Sequence, residues 1–552
     1  MITESLSELL HSAMQAAVDD GVIESSALPA IEFERPRKRE HGDWATNAAL
    51  TAAQGKTNPR ALAEELIKRL PGSDLIERVE VAGPGFLNFY LSPTWLHDVV
   101  RRAANAGSGF GRSDLGAGKK VNVEYISANP TGSMNVVNGR HAAVGDTISN
   151  LLEATGHSVV REYYINDVGR QMTLFARSLE ARYLQRFGRS ADLPEDGYQG
   201  EDITRVANEI ADELGDSLLG LPEDERLQKL REVGLAKMLE SIRASLERFG
   251  TTFDVWFNEH TLHERGDVGT VIEALREKGL IEERDGAVWF KSSALGDDKD
   301  RVVVKADGGT TYIASDMPYL VDKFRRGFDH LIYLWGADHH GTIARLHAAA
   351  DALASGREHV EVRLVQIVNL LRGGESVRAS KRAGVVIPLD ELVDEVGVDA
   401  ARYTFLTRSL EQPVDFDIAL VKEQAPENPV YYVQYAHARI CSILRKADEE
   451  GHTTDPAQAP LERLEHPSED ELMRKLASFE EEVIEAANRR SPQRITRYVE
   501  ELASSFSSFY RDCKVITDDE GLTSARLGLC IATRSVIAAG LGLLGVGAPE
   551  KM

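Results

Sequence analysis

Polar side chains gather at two places in this chain where an apolar run gives out. Glu124, Ser127 and Asn129 close the alternating stretch that begins at Val121, while Tyr312 and Asp316 stand four residues apart in Thr310-Thr311-Tyr312-Ile313-Ala314-Ser315-Asp316. Two carboxylates facing one pocket repel each other and are costly to bury unless a planar cation lies between them. A guanidinium, with five donors in a fixed fork, is the best match. Spacing alone does not bring the two segments together, and each carboxylate remains readable as a surface charge or a helix cap.

Three further stretches carry candidate chemistry. Ser127-Ala128-Asn129-Pro130-Thr131-Gly132-Ser133-Met134-Asn135-Val136-Val137-Asn138-Gly139-Arg140 leads from the apolar run into an amphipathic segment ending near Ala154, which predicts strand, loop and helix. At the carboxyl end of a parallel strand such a crossing offers unpaired helix N–H groups to an anion. An ordinary strand-to-helix loop fits these residues as well. Arg378, Lys381 and Arg382, on a glycine-flanked stretch, suit a polyphosphate, where positive charge offsets what develops as pyrophosphate leaves. Alone, they read equally as a solvated basic loop. In Trp335-Gly336-Ala337-Asp338-His339-His340-Gly341, neighbours on an extended chain point to opposite faces. That argues against a shared metal ion and for polar contacts to substrate or nucleotide.

The elements that must position these groups fall into three parts of a 552-residue chain, which is too long for one core. Residues 1–115 read as a small α+β domain, with a turn at Ala82-Gly83-Pro84-Gly85 and a Gly- and Ser-rich linker from Asn105 to Lys120. Residues 116–396 alternate strands and helices, the pattern of a doubly wound parallel sheet, with a charged helical insertion at about 177–305. Residues 397–552 read as a helical bundle interrupted by a polar loop from Glu449 to Pro467.

Composition, at 42% apolar and 28% charged, is that of a globular protein. Cys441, Cys513 and Cys530 lie far apart, against a disulfide framework or zinc site and in keeping with a reducing cytosol. The apolar stretch from Val536 to Ala548 is shorter than a membrane helix needs, so no membrane span is expected. The net charge of −24 does not exclude a nucleic-acid partner, since a local basic face suffices to bind phosphates.

Taken together the motifs resemble class I aminoacyl-tRNA synthetases, and among them the arginyl enzymes, over almost the whole chain. The resemblance rests on Gly42-Asp43-Trp44-Ala45-Thr46-Asn47 and Gly83-Pro84-Gly85-Phe86-Leu87-Asn88-Phe89. It continues in the Pro-Thr-Gly turn, Tyr164-Ile165-Asn166-Asp167-Val168-Gly169-Arg170-Gln171 and Trp335 to Gly341. The C-terminal part adds Asn428-Pro429-Val430-Tyr431-Tyr432-Val433-Gln434-Tyr435-Ala436-His437-Ala438-Arg439 and the ending Leu544 to Met552.

The resemblance implies a Rossmann-like catalytic domain with an insertion, between an N-terminal tRNA-contacting domain and an all-α anticodon-binding bundle. It implies ATP-dependent activation of L-arginine to arginyl-adenylate, with tRNA needed for activation, and transfer to the tRNA for arginine. Glu124, Ser127, Asn129, Tyr312, Asp316 and His339, the last with Asp338 as its alternative, would hold arginine. Pro130, Thr131, Gly132, Asn135, Asn138, Gly139, Ser380 and Lys381 would face ATP, with Asn135, Asn138 and Lys381 catalytic. Magnesium would arrive with ATP, without a dedicated protein metal site, and the enzyme would be a cytoplasmic monomer. Arg35, Arg37, Lys38, Arg39, Tyr435, His437 and Arg439 are candidate tRNA contacts, ordinary packing or a solvated face being the alternative for each.

Two signatures depart from the family pattern. Where class I enzymes carry His-x-Gly-His, this chain has Asn135-Val136-Val137-Asn138; an asparagine amide donates to a phosphate but is shorter than imidazole and never cationic. Val137 takes up space that a glycine leaves to the nucleotide. His141, one helical turn past Asn138, offers a displaced imidazole, against packing as the plainer reading. Lys-Met-Ser-Lys appears as Arg378-Ala379-Ser380-Lys381 and keeps its last lysine. The alternatives are a non-catalytic arginine- or tRNA-binding paralogue and a synthetase for another amino acid. Retention of the arginine pocket and Lys381 favours the active enzyme.

Overall fold

The computed structural model describes residues 2–24, 28–36, 38–54, 57–354, 356–377 and 387–552, with the side chain of Arg39 left aside. They form two compact units, each assembled from separated stretches of chain. The first joins Met1–Phe110 to Ile440–Glu480 and Ser504–Val536, and the second joins Gly111–Arg439 to Glu481–Ala503 and Ile537–Met552.

In the first unit, strands β1 (Trp44–Thr46), β2 (Ile76–Ala82) and β3 (Phe86–Leu91) make an antiparallel sheet ordered β1-β3-β2. The β2–β3 hairpin turns where Gly83 takes φ +52°, a left-handed value that glycine adopts without strain. Helix Pro93–Ala106 starts on proline behind the cap Ser92, whose hydroxyl accepts from Thr94 N–H. It buries Trp95, Leu96, Val99, Val100 and Ala103, the spacing of one helix face.

The second unit contains the parallel sheet. Its strands come as β4 (Lys120–Glu124), β5 (Ser158–Ile165) and β6 (Val255–Asn258), followed by an antiparallel excursion of β7 (Ile281–Arg284), β8 (Ala287–Phe290) and β9 (Arg301–Val304). The chain then returns in β10 (His330–Gly336) and β11 (Val360–Val365). The order β11-β10-β4-β5-β6 is parallel throughout. Successive strands run one way from β4 and the other way from β10, so the order reverses between these two. That is the topological switch point, where ligands of such sheets lie beyond the carboxyl ends.

Two local expectations needed correction. The charged middle stretch is not one continuous insertion, because β6 at its centre pairs with β5 from Glu162↔Val255 to Ile165↔Asn258. Four residues without apolar alternation give too little period to show in sequence. Likewise β14 (Val414–Asp417) stands inside the stretch read as helical and pairs in parallel with β12 (Val368–Arg372), which is also paired with β13 (Glu375–Ser376).

Toward the C-terminal end the chain runs through helices Pro429–Glu449, Pro467–Ala477, Phe479–Arg489, Gln493–Asp512 and Glu520–Leu543. The last is long and apolar enough to span a bilayer by length and composition, unlike the shorter stretch expected from sequence. Most of its apolar stretch is buried within the protein, with Leu529, Cys530, Val536 and Ile537 fully enclosed, as in a core helix.

Candidate active site

The switch point opens at Glu124, the last residue of β4, and the chain beyond it is strained. Ile126 and Ser127 take φ +66° and +43° in succession, left-handed values that cost a β-branched residue most. This bend turns the Ser127 hydroxyl back, where it donates to Glu124 Oε1 at 3.2 Å and accepts from Tyr164 N–H at 3.1 Å. Asn129 follows on the exposed side of the turn.

Glu124 is buried and already paired. Lys323 Nζ lies 2.5 Å from its Oε2, wholly buried and held over the rings of Tyr319 and Tyr333, 4.4 and 4.1 Å from their centroids. Lys323 sits on helix Tyr312–Arg325, the helix that carries Tyr312 and Asp316. A second buried carboxylate, Glu162 on β5, accepts two Arg326 bonds of 2.8 Å, one of 2.7 Å from Tyr319 Oη and one of 2.7 Å from Asn122. Burial would raise its pKa, but Lys323 and Arg326 outweigh burial and hold it below the usual range.

Asp316 has the opposite environment. Burial pushes its carboxyl up to about 7; Arg345 opposes the shift, and the charges of Glu259 and Glu124 add to it. The two expected carboxylates therefore do share one neighbourhood. Glu259, which the sequence reading missed, is buried there too; burial raises its pKa although Ser315 and Tyr164 hydrogen-bond to it. The Tyr164 hydroxyl is driven upward by burial and then by Glu259, Asp316 and Glu124, so it lies among all three. Tyr312, one turn before Asp316, is 68% exposed and stands at the rim. His339 is exposed as well, its Nε2 3.9 Å from Asp338 Oδ1, on a short 3₁₀ turn just past the end of β10.

On the nucleotide side, the altered signature has a structural role that its sequence conceals. Asn135 is the N-cap of helix Val136–Ala154: its Oδ1 accepts from Val137 N–H at 2.9 Å and Asn138 N–H at 3.1 Å. Asn138 Oδ1 accepts from Asn135 N–H at 3.0 Å, completing a reciprocal capping box. Both acceptor oxygens are thus committed to the helix start, and the side-chain NH₂ groups are the donors left to meet a ligand. The turn before it is braced from outside, since Ser133 N–H donates to Asp202 Oδ2 at 2.8 Å. Pro130 and Thr131 are buried in the turn, and a Cβ on Gly132 would come within 3.1 Å of Asp202. Gly139 has a packing reason: a Cβ there would lie 2.6 Å from Leu389 and 3.2 Å from Phe405.

His141 is not a substitute imidazole. It is buried, and burial followed by the neighbouring Arg140 charge depresses its pKa to about 4, so it is neutral at physiological pH. Ser380, Lys381, Arg378 and Arg382 lie outside the described residues, as does Arg37. Among the tRNA candidates, Arg35 stacks on Trp44 at 4.5 Å, and Tyr431, Tyr435 and Arg439 form a ladder along one helix face. His437 is buried, its Nδ1 2.9 Å from the carbonyl of Pro549, which is a packing role.

Comparison with known proteins agrees in all parts of the chain. Family models described as "Arginyl tRNA synthetase N terminal domain", "tRNA synthetases class I (R), catalytic domain" and "DALR anticodon binding domain" match residues 2–91, 105–409 and 433–552. The arginine–tRNA ligase of Carboxydothermus hydrogenoformans is 47% identical over 547 residues, covering 99% of this chain and 98% of the relative. That of Bacillus subtilis is 44% identical and covers 100% of both chains. The Thermus thermophilus arginyl-tRNA synthetase structure shares the fold over 100% of both chains, with a TM-score of 0.76 at 23% identity. With a parallel sheet whose switch point carries an acidic pocket beside a capped helix start, the chain belongs to the class I arginyl-tRNA synthetase family.

Proposed function

We propose that this protein ligates L-arginine to its cognate tRNA in two steps. Arginine and ATP form arginyl-adenylate and pyrophosphate, and the arginyl group then passes to the terminal ribose of the tRNA. The observation that carries the reading is the charge arrangement at the switch point. Glu124 is neutralised by Lys323, whereas Asp316, with Glu259 beside it, is left in an environment that lacks one positive charge. A guanidinium supplies that charge together with the donors to satisfy the site.

In this reading Asp316 and Tyr312 receive the guanidinium, and Glu124, Ser127, Asn129 and His339 orient the amino-acid end. The arginine carboxylate attacks the α-phosphate with no enzyme nucleophile, so catalysis is positioning plus electrostatic stabilisation. The NH₂ groups of Asn135 and Asn138 and the N–H groups of the helix start donate to phosphate oxygens. Pro130, Thr131, Gly132 and Gly139 bring the backbone close, and Ser380 and Lys381 are assigned to the ATP phosphates with them. Among the described residues no group of three or more His, Cys, Asp or Glu is placed to hold a metal. Magnesium is assigned to ATP, where it would neutralise phosphate charge.

The division into segments 1–115, 116–396 and 397–552 assigns tRNA contact to both ends of the chain, with Arg35, Lys38, Tyr435 and Arg439 as candidate contacts. A cytoplasmic monomer completes the reading. The test is arginine-dependent ATP–pyrophosphate exchange with tRNA present, alongside charging assays with all twenty amino acids. Exchange specific to arginine and lost in Lys381→Ala supports the reading; exchange no faster than that control overturns it.

A further inference from the structure

Arg140 is a fully buried arginine that makes no ion pair with a carboxylate among the described residues. Its guanidinium spends its donors on the main chain: Nη1 donates to the carbonyls of Gln366 (2.7 Å) and Ile367 (3.1 Å), and Nη2 to those of Ser409 (2.9 Å) and Gln412 (2.7 Å). Nε is buried without a partner among the described residues. Burial lowers its pKa to about 10, with Glu411 opposing, so it remains a cation at neutral pH. Removing such a charge from water is expensive, and the usual compensation is a carboxylate. Four carbonyls from two separate connections are a different arrangement, in which a rigid planar fork fixes two pieces of backbone to one point.

Those two pieces matter because of what they enter. Gln366–Ile367 joins β11 to β12, and Ser409–Gln412 leads into β14; β12 and β14 then pair from Val368↔Val414 to Leu371↔Asp417. Arg140 therefore holds the entrance of both strands of the small sheet at once. From β12 and β13 the chain runs on to Arg378 and Lys381. Arg140 itself stands two residues past Asn138, in the helix whose start is the Asn135–Asn138 cap. The same helix start is also tied to the returning chain through the backbone: Val136 N–H donates to Ile387 O at 3.3 Å, Leu389 N–H donates to Met134 O at 2.9 Å, and Asn135 bridges Pro388.

We propose that Arg140 is a positioning residue for adenylate formation, fixing the capped helix start against the β12–β14 sheet so that the donors of that helix start keep their place on the phosphate chain. This rests on the phosphate-facing roles proposed above for Asn135 and Asn138. Arg140 touches no reacting atom. It acts on the phosphate side of the site, while the arginine pocket is built on β4, β5 and helix Tyr312–Arg325.

The test uses the full-length enzyme carrying Arg140→Lys or Arg140→Gln, in tRNA-dependent ATP–pyrophosphate exchange. Rates are expressed per arginine-binding site, titrated by equilibrium dialysis, so that an unfolded fraction drops out. A lysine keeps the charge but cannot bridge both connections. Both variants are expected to lose about 100-fold in kcat, the scale of a misplacement of about 1 Å at a reacting centre, with the arginine KM within about twofold of wild type. A wild-type kcat in Arg140→Lys, or an arginine KM that rises in step with the loss of kcat, overturns the proposal. Ile367→Gly loosens one accepting connection at a side chain that is 56% exposed and leaves the core filled. A severalfold lower kcat with unmoved arginine KM supports the proposal, and an unchanged kcat overturns it. Absence of exchange in the wild-type enzyme would instead strike the proposed function.

Discussion

The two ends of the site solve opposite electrostatic problems. The amino-acid end collects Glu124, Glu162, Glu259 and Asp316 from β4, β5, the end of β6 and helix Tyr312–Arg325 and neutralises only part of that charge from within, through Lys323, Arg326 and Arg345. The nucleotide end has given up the side chains able to become cationic at the family's first signature and presents amides, backbone N–H groups and a helix start. A site for a permanent cation gains from an unsatisfied carboxylate, whereas a helix N-terminus favours a polyanion without any charged side chain. Among the described residues charge is thus concentrated where the proposed ligand is small and fixed, and geometry at the helix start assigned to the phosphates.

The comparison breaks most visibly if the internal neutralisation is removed. Lys323→Met leaves Glu124 buried and unpaired and is expected to cost about 3–5 kcal/mol of stability. Urea denaturation measures it, with most of the loss recovered on adding Glu124→Gln. A loss below about 1 kcal/mol would mean that water reaches Glu124 and that the pocket is not pre-neutralised.

Next in size is the pH response of the amino-acid end. With the Asp316 pKa at about 7 in the free enzyme, kcat/KM for arginine is expected to rise about tenfold per unit as pH approaches that value from below and to flatten above it. Asp316→Asn should lower kcat/KM and abolish this limb. For stability the sign is reversed: an unfolded Asp ionises near about 3.9, so the folded chain holds the extra proton between there and about 7, and stability falls as pH rises through that window. A limb that survives in Asp316→Asn would assign the titration to another group.

The smallest effect belongs to the neutral end. Asn135→Ala removes the acceptor for two helix N–H groups and is expected to cost about 1 kcal/mol of stability with little change in arginine KM. Thermal unfolding and exchange kinetics on the same samples check both parts. A large rise in arginine KM would show that the two ends are not separable.

Motif spacing made the architecture readable: the strand that closes near Glu124 and the parallel sheet it joins lie where the sequence predicts, whereas the helix expected from Gly139 starts already at Val136, and Tyr312 to Asp316 open a helix for which the sequence reading assigned no element. Glu259 escaped notice because it follows a four-residue strand without period and lies among many charges. Lys323 was within reach, since it stands seven residues past Asp316, two turns along the same helix face, but a lone lysine on an amphipathic helix gives no sign of burial. The capping box was hidden by substitution, because comparison with two histidines draws attention to lost function and away from what asparagine does at a helix start. Arg140 could not have been inferred, since its partners are carbonyls more than two hundred residues away and any residue type supplies those.

The Lys323–Glu124 pair also bears on which amino acids the pocket turns away. An ammonium of its own already occupies the Glu124 end, so lysine or ornithine would bring a second compact, strongly hydrated cation against the first. Such a side chain must lodge beside Asp316 and Glu259 and give up more of its water on entry than a guanidinium does. A guanidinium is flatter, more weakly hydrated and spreads its charge over five donors, so it meets less repulsion and loses less on entry. The buried lysine, which never touches the reaction, thereby acts as a standing competitor against its own kind.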